Sequence, residues 1–121
     1  MKSRGRLESE VLAGVLAYLA MRGDCFFWRQ GNFAGALPGG YMHAAKGVPD
    51  ILCVKDGRLY GIEVKRELGG KVSGDQERFG QNLEAAGGKY VVTRGVDDAE
   101  KALGPIGPRI AKAGPRRTYP R

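Results

Sequence analysis

The sequence predicts one α/β domain, because helix patterns alternate with strand patterns along a chain with room for a single modest core. Three observations carry this prediction. Apolar residues repeat at helical spacing near the N-terminus, an Asp-Gly turn joins two β-branched runs, and a capped helix pattern precedes a further strand pattern. We expect the domain to span residues 1–103 and a basic, flexible tail to span residues 104–121, which contain no acidic residue.

The first predicted element is a helix from Glu8 to about Arg22, ended by Gly23. Steps of about 100° per residue place one set of apolar residues on a single face; these are Leu12, Val15, Leu16 and Leu19. Glu8 projects onto the middle of that face, whereas Glu10 points nearly the opposite way, into solvent. A carboxylate in line with an apolar face is unusual, since acidic side chains are rarely buried without a partner.

The remaining elements follow from turn and capping residues. Strands are predicted over residues 25–30, 50–55, 58–66 and 89–94, and a short final helix over Val96–Leu103. Asp56-Gly57 is a strong hairpin signal because both positions of such a turn need positive φ. Ser73 is the expected N-cap, and Gln76 the N3 residue, of a helix that runs to about residue 86. Residues 31–47 read as a long mobile loop of a kind that is often functional.

The charge and the cysteines narrow the class of protein. A formal net charge of +7 indicates a polyanionic partner, with nucleic acid ahead of an anionic membrane surface. Cys25 and Cys53 form no CxxC pair, and with His43 the only histidine a structural zinc site is hard to assemble. We interpret both cysteines as small buried hydrophobic residues in a reducing compartment.

The basic N-terminus followed by an apolar run superficially resembles a secretory signal. Glu8 and Glu10 stand between the two parts, and the apolar residues repeat at helical spacing, which a signal does not require. The run is also too short to span a bilayer. We therefore expect a protein of the cytoplasm, in a bacterial or phage-infected host cell, with no membrane partner.

The hairpin register predicts a cluster of charged side chains. A two-residue turn sets Lys55 opposite Arg58, and the same ladder sets Asp50 opposite Glu63. Directly opposed residues share a sheet face with Cβ atoms about 5 Å apart, and Lys65 lies on that face two residues beyond Glu63. One possibility is that these residues form an exposed cluster of salt bridges. Otherwise, the repulsion between the two opposed carboxylates must be offset in another way.

Three compensations are available: a raised pKa on one carboxylate, Lys65 or a nearby arginine as counter-ion, or a divalent cation. Hard oxygen ligands of this kind suit Mg²⁺ or Mn²⁺ better than zinc. A bound metal beside a lysine suits phosphodiester hydrolysis, since the metal polarises the phosphoryl oxygen and the lysine orients or deprotonates the nucleophile.

The segment Gly47-Val48-Pro49-Asp50, followed after twelve residues by Glu63-Val64-Lys65, matches the Pro-Asp…(Asp/Glu)-x-Lys signature of the restriction-endonuclease-like superfamily. Three further segments resemble its virus-type replication-repair nuclease (VRR-NUC) branch; these are Glu8-Ser9-Glu10-Val11, Phe27-Trp28-Arg29 and Ser73-Gly74-Asp75-Gln76. The resemblance covers about residues 7–103. It implies a restriction-endonuclease-like αβββαβ core, with a mixed central sheet flanked by helices and the site at one sheet edge.

The resemblance also implies roles for single residues. Asp50 and Glu63 would ligate Mg²⁺ or Mn²⁺, the backbone carbonyl of Val64 would complete the ligand set, and Lys65 would be the catalytic lysine. The family also places a glutamate of the first helix near the metals, and the helical face favours Glu8 over Glu10 for that role. Gln76 matches the family glutamine beside the site, and capping of the second helix is its simpler role.

We therefore expect a Mg²⁺- or Mn²⁺-dependent DNA endonuclease that needs no nucleotide cofactor. The resemblance extends to Holliday-junction resolvases, which implies branched DNA as substrate and a homodimer. The alternatives are a flap or single-strand nuclease acting as a monomer, a catalytically silent DNA-binding module, and a basic nucleic-acid chaperone without metal. The cations that we expect to contact DNA are Arg29, Lys46, Arg66 and Lys71, whereas His43 is interpreted as incidental.

Overall fold

The computed structural model describes residues 4–30, 46–111 and 120. This part of the chain contains three helices and four strands. Their order is α1 (Glu8–Arg22), β1 (Phe26–Arg29), β2 (Ile51–Lys55), β3 (Arg58–Val64), α2 (Gly74–Ala85), β4 (Lys89–Thr93) and α3 (Val96–Leu103). The protein is a small α/β domain, as the sequence predicted, and its strands are one or two residues shorter than predicted.

The four strands form one mixed sheet in the order β1-β2-β3-β4. The β1–β2 and β2–β3 pairs are antiparallel, and the β3–β4 pair is parallel. A parallel pair needs a long crossover connection, which α2 supplies between β3 and β4. The mixed sheet flanked by helices is therefore present as expected.

The hairpin between β2 and β3 has the predicted register. Asp56 and Gly57 have φ angles of 51° and 75°, so both turn residues adopt the left-handed conformation that a tight two-residue turn requires. The ladder runs from Lys55 opposite Arg58 to Ile51 opposite Ile62. Its continuation by one residue brings Asp50 to the level of Glu63.

The two faces of the sheet have different coverings. On the core face, buried strand residues pack with α1 and α3; these strand residues are Ile51, Cys53, Tyr60, Ile62, Val64 and Val91. On the α2 face, Leu83 lies close to Gly61 and Gly80 lies close to the Tyr90 ring, so α2 covers β3 and β4. Burial of each large aliphatic side chain in the core contributes about 1.5–3 kcal/mol to folding.

Helix α1 presents the face predicted for it. Val15 and Leu19 are fully buried, Leu12 and Leu16 are half-buried against the core, and Val11 is buried with them. None of the helices in residues 4–30, 46–111 and 120 combines the length and apolar character that crossing a bilayer demands.

The two cysteines are free and buried, as predicted. Burial raises the pKa of both thiols, and that of Cys53 reaches about 12. Because the thiolate is the reactive form of cysteine, both side chains act as inert parts of the core at neutral pH.

The chain after α3 is attached to the end of α1. Arg22 and Asp24 form a buried ion pair with a nitrogen–oxygen distance of 2.8 Å. The Arg22 guanidinium also donates to the carbonyls of Gly104 and Pro105, and Asp24 accepts from the Gly107 N–H. Gly104, Pro105 and Gly107 are therefore hydrogen-bonded to the end of α1, and the flexibility expected for the tail stays a prediction.

Two segments predicted from the sequence lie, wholly or in part, outside the residues that the structure describes. Most of the loop predicted over residues 31–47, including His43, lies there, and so do residues 112–119 and 121 of the predicted tail. The domain boundary at residue 103 stays a prediction.

Candidate active site

Three carboxylates from three elements meet at one end of the sheet. Glu8 is the first residue of α1, Asp50 immediately precedes β2, and Glu63 lies near the end of β3. One carboxylate oxygen of each lies within 4.8 Å of the others. Glu63 is buried, Asp50 half-buried and Glu8 exposed, so the acidic cluster formed by these three residues opens to solvent on the side of α1.

The first-helix glutamates have separate partners. Glu10 accepts hydrogen bonds from the Leu7 N–H and from the exposed Arg4, at 3.2 and 3.1 Å. It therefore caps α1 and does not join the acidic cluster. The structure thus places Glu8, and not Glu10, beside Asp50 and Glu63, as the helical face had predicted.

Asp50 is held on both sides by backbone hydrogen bonds. Its Oδ2 accepts from the Val64 N–H at 2.8 Å, and its carbonyl accepts from the Gln30 N–H at 2.7 Å. The preceding segment lies against the start of α2, where a Cβ on Gly47 would come within 2.3 Å of the Asp75 carbonyl oxygen. Only glycine fits this approach, since Gly47 also has a φ of +75°.

Gln76 connects the acidic cluster to the catalytic lysine implied by the resemblance. Its Nε2 donates to Glu63 Oε1 at 2.8 Å, and its Oε1 accepts from Lys65 Nζ at 3.0 Å. The same Oε1 accepts from the Ser73 N–H at 2.9 Å, while Ser73 Oγ accepts from the Gln76 N–H. The capping box predicted for α2 is therefore confirmed, and the amide that forms it also contacts the site.

Glu63 has one satisfied and one unsatisfied oxygen. Oε1 lies 2.8 Å from Gln76 and 3.8 Å from Lys65 Nζ. Oε2 is buried and has no hydrogen-bond partner among the described residues. Burial, followed by the negative charge of Asp50, raises the pKa of Glu63 to about 8, although Lys65 acts in the opposite direction.

A divalent cation fits this donor set. It would contact the free Glu63 oxygen and remove the repulsion among the three carboxylates that meet within 4.8 Å. Carboxylate oxygens are the ligands that Mg²⁺ and Mn²⁺ favour. Of the compensations considered from sequence, the lysine counter-ion lies 3.8 Å from Glu63 Oε1, and burial raises the pKa of Glu63.

The raised pKa of Glu63 predicts a pH-dependent stability. The folded pKa of about 8 lies above the model value of 4.5, so only the folded state keeps the proton between these values. Stability in EDTA should therefore fall as pH rises from about 4.5 to 8. Urea unfolding of Glu63→Gln should show a weaker fall, because the substituted side chain cannot ionise.

The matched control for this measurement is Glu100→Gln, which replaces an exposed carboxylate on α3. This variant should keep the pH slope of the wild-type protein. Equal slopes for Glu63→Gln and the wild type would contradict the raised pKa. At pH 8, saturating Mg²⁺ or Mn²⁺ should restore the stability of the wild-type protein, since the metal binds the folded state and displaces the proton of Glu63.

The cations predicted to contact DNA are all exposed. Arg29 ends β1, and Lys46 lines a shallow cavity of about 190 Å³ with Asp75 and Arg78 at the start of α2. The Arg66 guanidinium lies over Gly69, and Lys71 follows in the same connection to α2. Contacts of these residues with DNA stay predictions.

Two residues beside the site, Tyr90 and Arg94, are not predicted from the sequence. The Tyr90 hydroxyl is buried without a hydrogen-bond partner among residues 4–30, 46–111 and 120. Burial, together with the charges of Glu63 and Asp50, raises its pKa to about 12. Arg94 donates to the carbonyls of Arg66, Gly69 and Gly70, and so shapes the connection that follows Lys65. Strand alternation places Tyr90 on one face, but no local signal sets the parallel β3–β4 register that brings it here.

Comparison of the chain with protein-family models, with curated proteins and with solved structures gave no match. The resemblance to VRR-NUC nucleases therefore rests on the residues of this chain alone, and what it implies about activity is a proposal.

Proposed function

We propose that this protein is a metal-dependent DNA endonuclease that hydrolyses phosphodiester bonds. The observation that carries the proposal is the convergence of the Glu8, Asp50 and Glu63 carboxylates from three elements, together with a buried Glu63 oxygen that has no partner among the described residues. An exposed salt-bridge cluster would leave its carboxylates in water, whereas the Glu63 side chain is only 4% exposed. A nucleic-acid chaperone without metal would gain nothing from this burial.

The fold supports the same proposal. The order α1-β1-β2-β3-α2-β4, with β4 parallel to β3, is the αβββαβ order that the resemblance implies for a restriction-endonuclease-like core. The acidic cluster lies where β2 begins and β3 ends. We assign this core, over residues 1–103, to the VRR-NUC type as part of the proposal.

Each residue of the site has a role in the proposed reaction. Bound Mg²⁺ or Mn²⁺ supplies Lewis-acid polarisation of the phosphoryl oxygen and lowers the pKa of a bound water. Glu8, Asp50 and Glu63 would hold that ion, and the resemblance adds the carbonyl of Val64, whose N–H already orients Asp50.

Lys65 would orient or deprotonate the attacking water, since its Nζ lies at the cluster, 3.8 Å from Glu63 Oε1. Gln76 is a positioning residue, because it holds Lys65 and Glu63 through opposite ends of one amide. This arrangement fixes the distance between the proposed metal ligand and the proposed catalytic amine.

The proposed substrate is DNA, and branched DNA is the leading candidate. The net charge of +7 suits a phosphate backbone. Contacts to the phosphate backbone position a protein on DNA without reading the base sequence. A homodimer would present two sites to a symmetric junction, while a monomer acting on flaps or single strands is the second candidate.

The experiment is a cleavage assay of the purified protein on a labelled four-way junction, a flap and a linear duplex, each with Mg²⁺, Mn²⁺ or EDTA. We expect metal-dependent cutting of branched substrates that is lost in Asp50→Ala. Symmetric nicking of the junction and a dimeric mass would support a resolvase-like activity, whereas a monomer that cuts only flaps or single strands would support the second candidate. Tight DNA binding without cleavage under any metal would overturn the nuclease in favour of a silent binding module.

A further inference from the structure

Two aromatic side chains are exposed side by side on the edge strand β1. Phe26 is 63% exposed and Trp28 is 37% exposed, and their ring centroids lie 5.4 Å apart at an interplanar angle of 41°. Among the described residues they are the only aromatic members of the exposed large hydrophobic set. Single exposed apolar residues are ordinary, whereas contiguous exposed apolar surface is a feature of binding sites, and these two rings are in contact.

The pair lies on the same face of the sheet as the acidic cluster. Trp28 is opposite Leu52, and Leu52 is opposite Gly61, so these three residues share the α2 face. Glu63 is two residues beyond Gly61 on the same strand and therefore on that face too. Because α2 covers the β3–β4 half, the rings of β1 stay open to solvent while sharing a continuous face with the site.

A short chain of hydrogen bonds also connects Trp28 to the acidic cluster. The indole Nε1 donates to Gln30 Oε1 at 3.1 Å, and the Gln30 N–H donates to the Asp50 carbonyl at 2.7 Å. The indole therefore has a defined orientation relative to Asp50. A ring fixed in this way loses little conformational freedom when a planar ligand stacks on it.

We propose that Phe26 and Trp28 form a stacking platform for unpaired nucleobases of the DNA strand that enters the site. The inference rests on the proposed function, since it takes DNA as the ligand, and it names unpaired bases as the feature that the protein selects. Bases within a duplex are stacked on their neighbours, so only single-stranded segments, flaps and opened junctions offer a free base plane.

Nucleobases suit this surface better than a second copy of the chain. The net charge of +7 attracts a polyanion such as DNA to the protein. Stacking on aromatic rings tolerates any base sequence, which suits a protein that reads structure more than sequence. The platform would also act independently of metal, because it contacts bases and not phosphates.

The test uses Trp28 itself, which is the only tryptophan of the chain. The protein is titrated in EDTA with a short single-stranded oligodeoxynucleotide, with an abasic strand of the same length, and with a duplex. We expect the single strand to quench Trp28 fluorescence and to bind at least about fivefold more tightly than the abasic strand, as expected for stacking of one base. The abasic strand and the duplex should leave the fluorescence unchanged.

Variants separate stacking from folding. By anisotropy of a labelled strand, Phe26→Ala and Trp28→Leu should each weaken single-strand binding by about fivefold or more, with abasic binding unchanged. Trp28→Phe, which keeps a ring, should retain most of the affinity. Met21→Ala is the matched control, since Met21 is 58% exposed on α1, outside the site and the platform.

Each other result overturns one proposal and leaves the other standing. Equal binding of normal and abasic strands would overturn the platform, even if the protein cuts junctions with metal. Fluorescence that changes with protein concentration alone, together with a dimeric mass that Trp28→Leu abolishes, would replace the platform by a contact between copies. Base-dependent quenching without cleavage under any metal would support the platform and overturn the nuclease.

Discussion

Replacing Lys65 by alanine should lower metal-dependent cleavage at least about a hundredfold, since a positioned proton-transfer group contributes about that much or more. Lys65 Nζ is 3.0 Å from Gln76 Oε1 and 3.8 Å from Glu63 Oε1, and its side chain is only 13% exposed. No other lysine or arginine in residues 4–30, 46–111 and 120 forms an ion pair with a member of the acidic cluster. The loss should appear in kcat under saturating substrate and metal.

Two companion variants separate chemistry from metal binding. Lys65→Ala should still bind Mn²⁺, measured by calorimetry, because it removes no carboxylate. Asp50→Asn should lose both Mn²⁺ binding and cleavage, while its circular dichroism spectrum stays that of the wild type. Lys101→Ala, which removes an exposed lysine on α3, is the control and should cleave normally. Undiminished cleavage by Lys65→Ala would remove this lysine from the proposed mechanism.

Replacing Asp24 by alanine should destabilise the fold by about 3–5 kcal/mol, which is the largest stability effect we expect. The side chains of Arg22 and Asp24 are 0% and 3% exposed, so the substitution leaves a buried guanidinium without its counter-ion. Arg22 also holds the pKa of Asp24 well below its usual range. The stabilisation should therefore persist above the unfolded pKa near 4 and be lost only in strong acid.

Urea unfolding at neutral pH measures this effect, with Glu67→Ala as the matched control. Glu67 forms an exposed ion pair with Arg6 at 2.9 Å, and such pairs contribute about 1 kcal/mol or less. The double variant Arg22→Met with Asp24→Ala should be more stable than Asp24→Ala alone, because no buried charge remains. If Asp24→Ala and Glu67→Ala lowered the free energy of unfolding by similar amounts, the buried ion pair would contribute no more to stability than a surface ion pair does.

Much of the candidate site follows from local rules that a sequence displays. The Asp56-Gly57 turn sets the β2–β3 register, and that register brings Asp50 to Glu63. The spacing of apolar residues on α1 separates Glu8 from Glu10. In each case the partners are related by a turn or by helical periodicity, so few residues determine the geometry.

The remaining features depend on contacts between distant parts of the chain. The position of Tyr90 beside Glu63 requires the parallel β3–β4 register, which pairs two strands separated in the chain by α2. The attachment of residues 104–110 requires that Arg22 and Asp24 be buried together, although charged residues usually face solvent. Neither feature can be predicted from the local sequence, because each depends on the position that a distant segment of the chain takes in the fold.

The double engagement of Gln76 makes the first turn of α2 part of the proposed active site. When that turn frays, the amide that releases the Ser73 N–H also releases Lys65 and Glu63. A mutation or solvent condition that melts this turn would silence the site before the rest of the domain unfolds. The rate of backbone amide hydrogen exchange at the start of α2 should therefore correlate with the remaining cleavage activity better than the global melting temperature does.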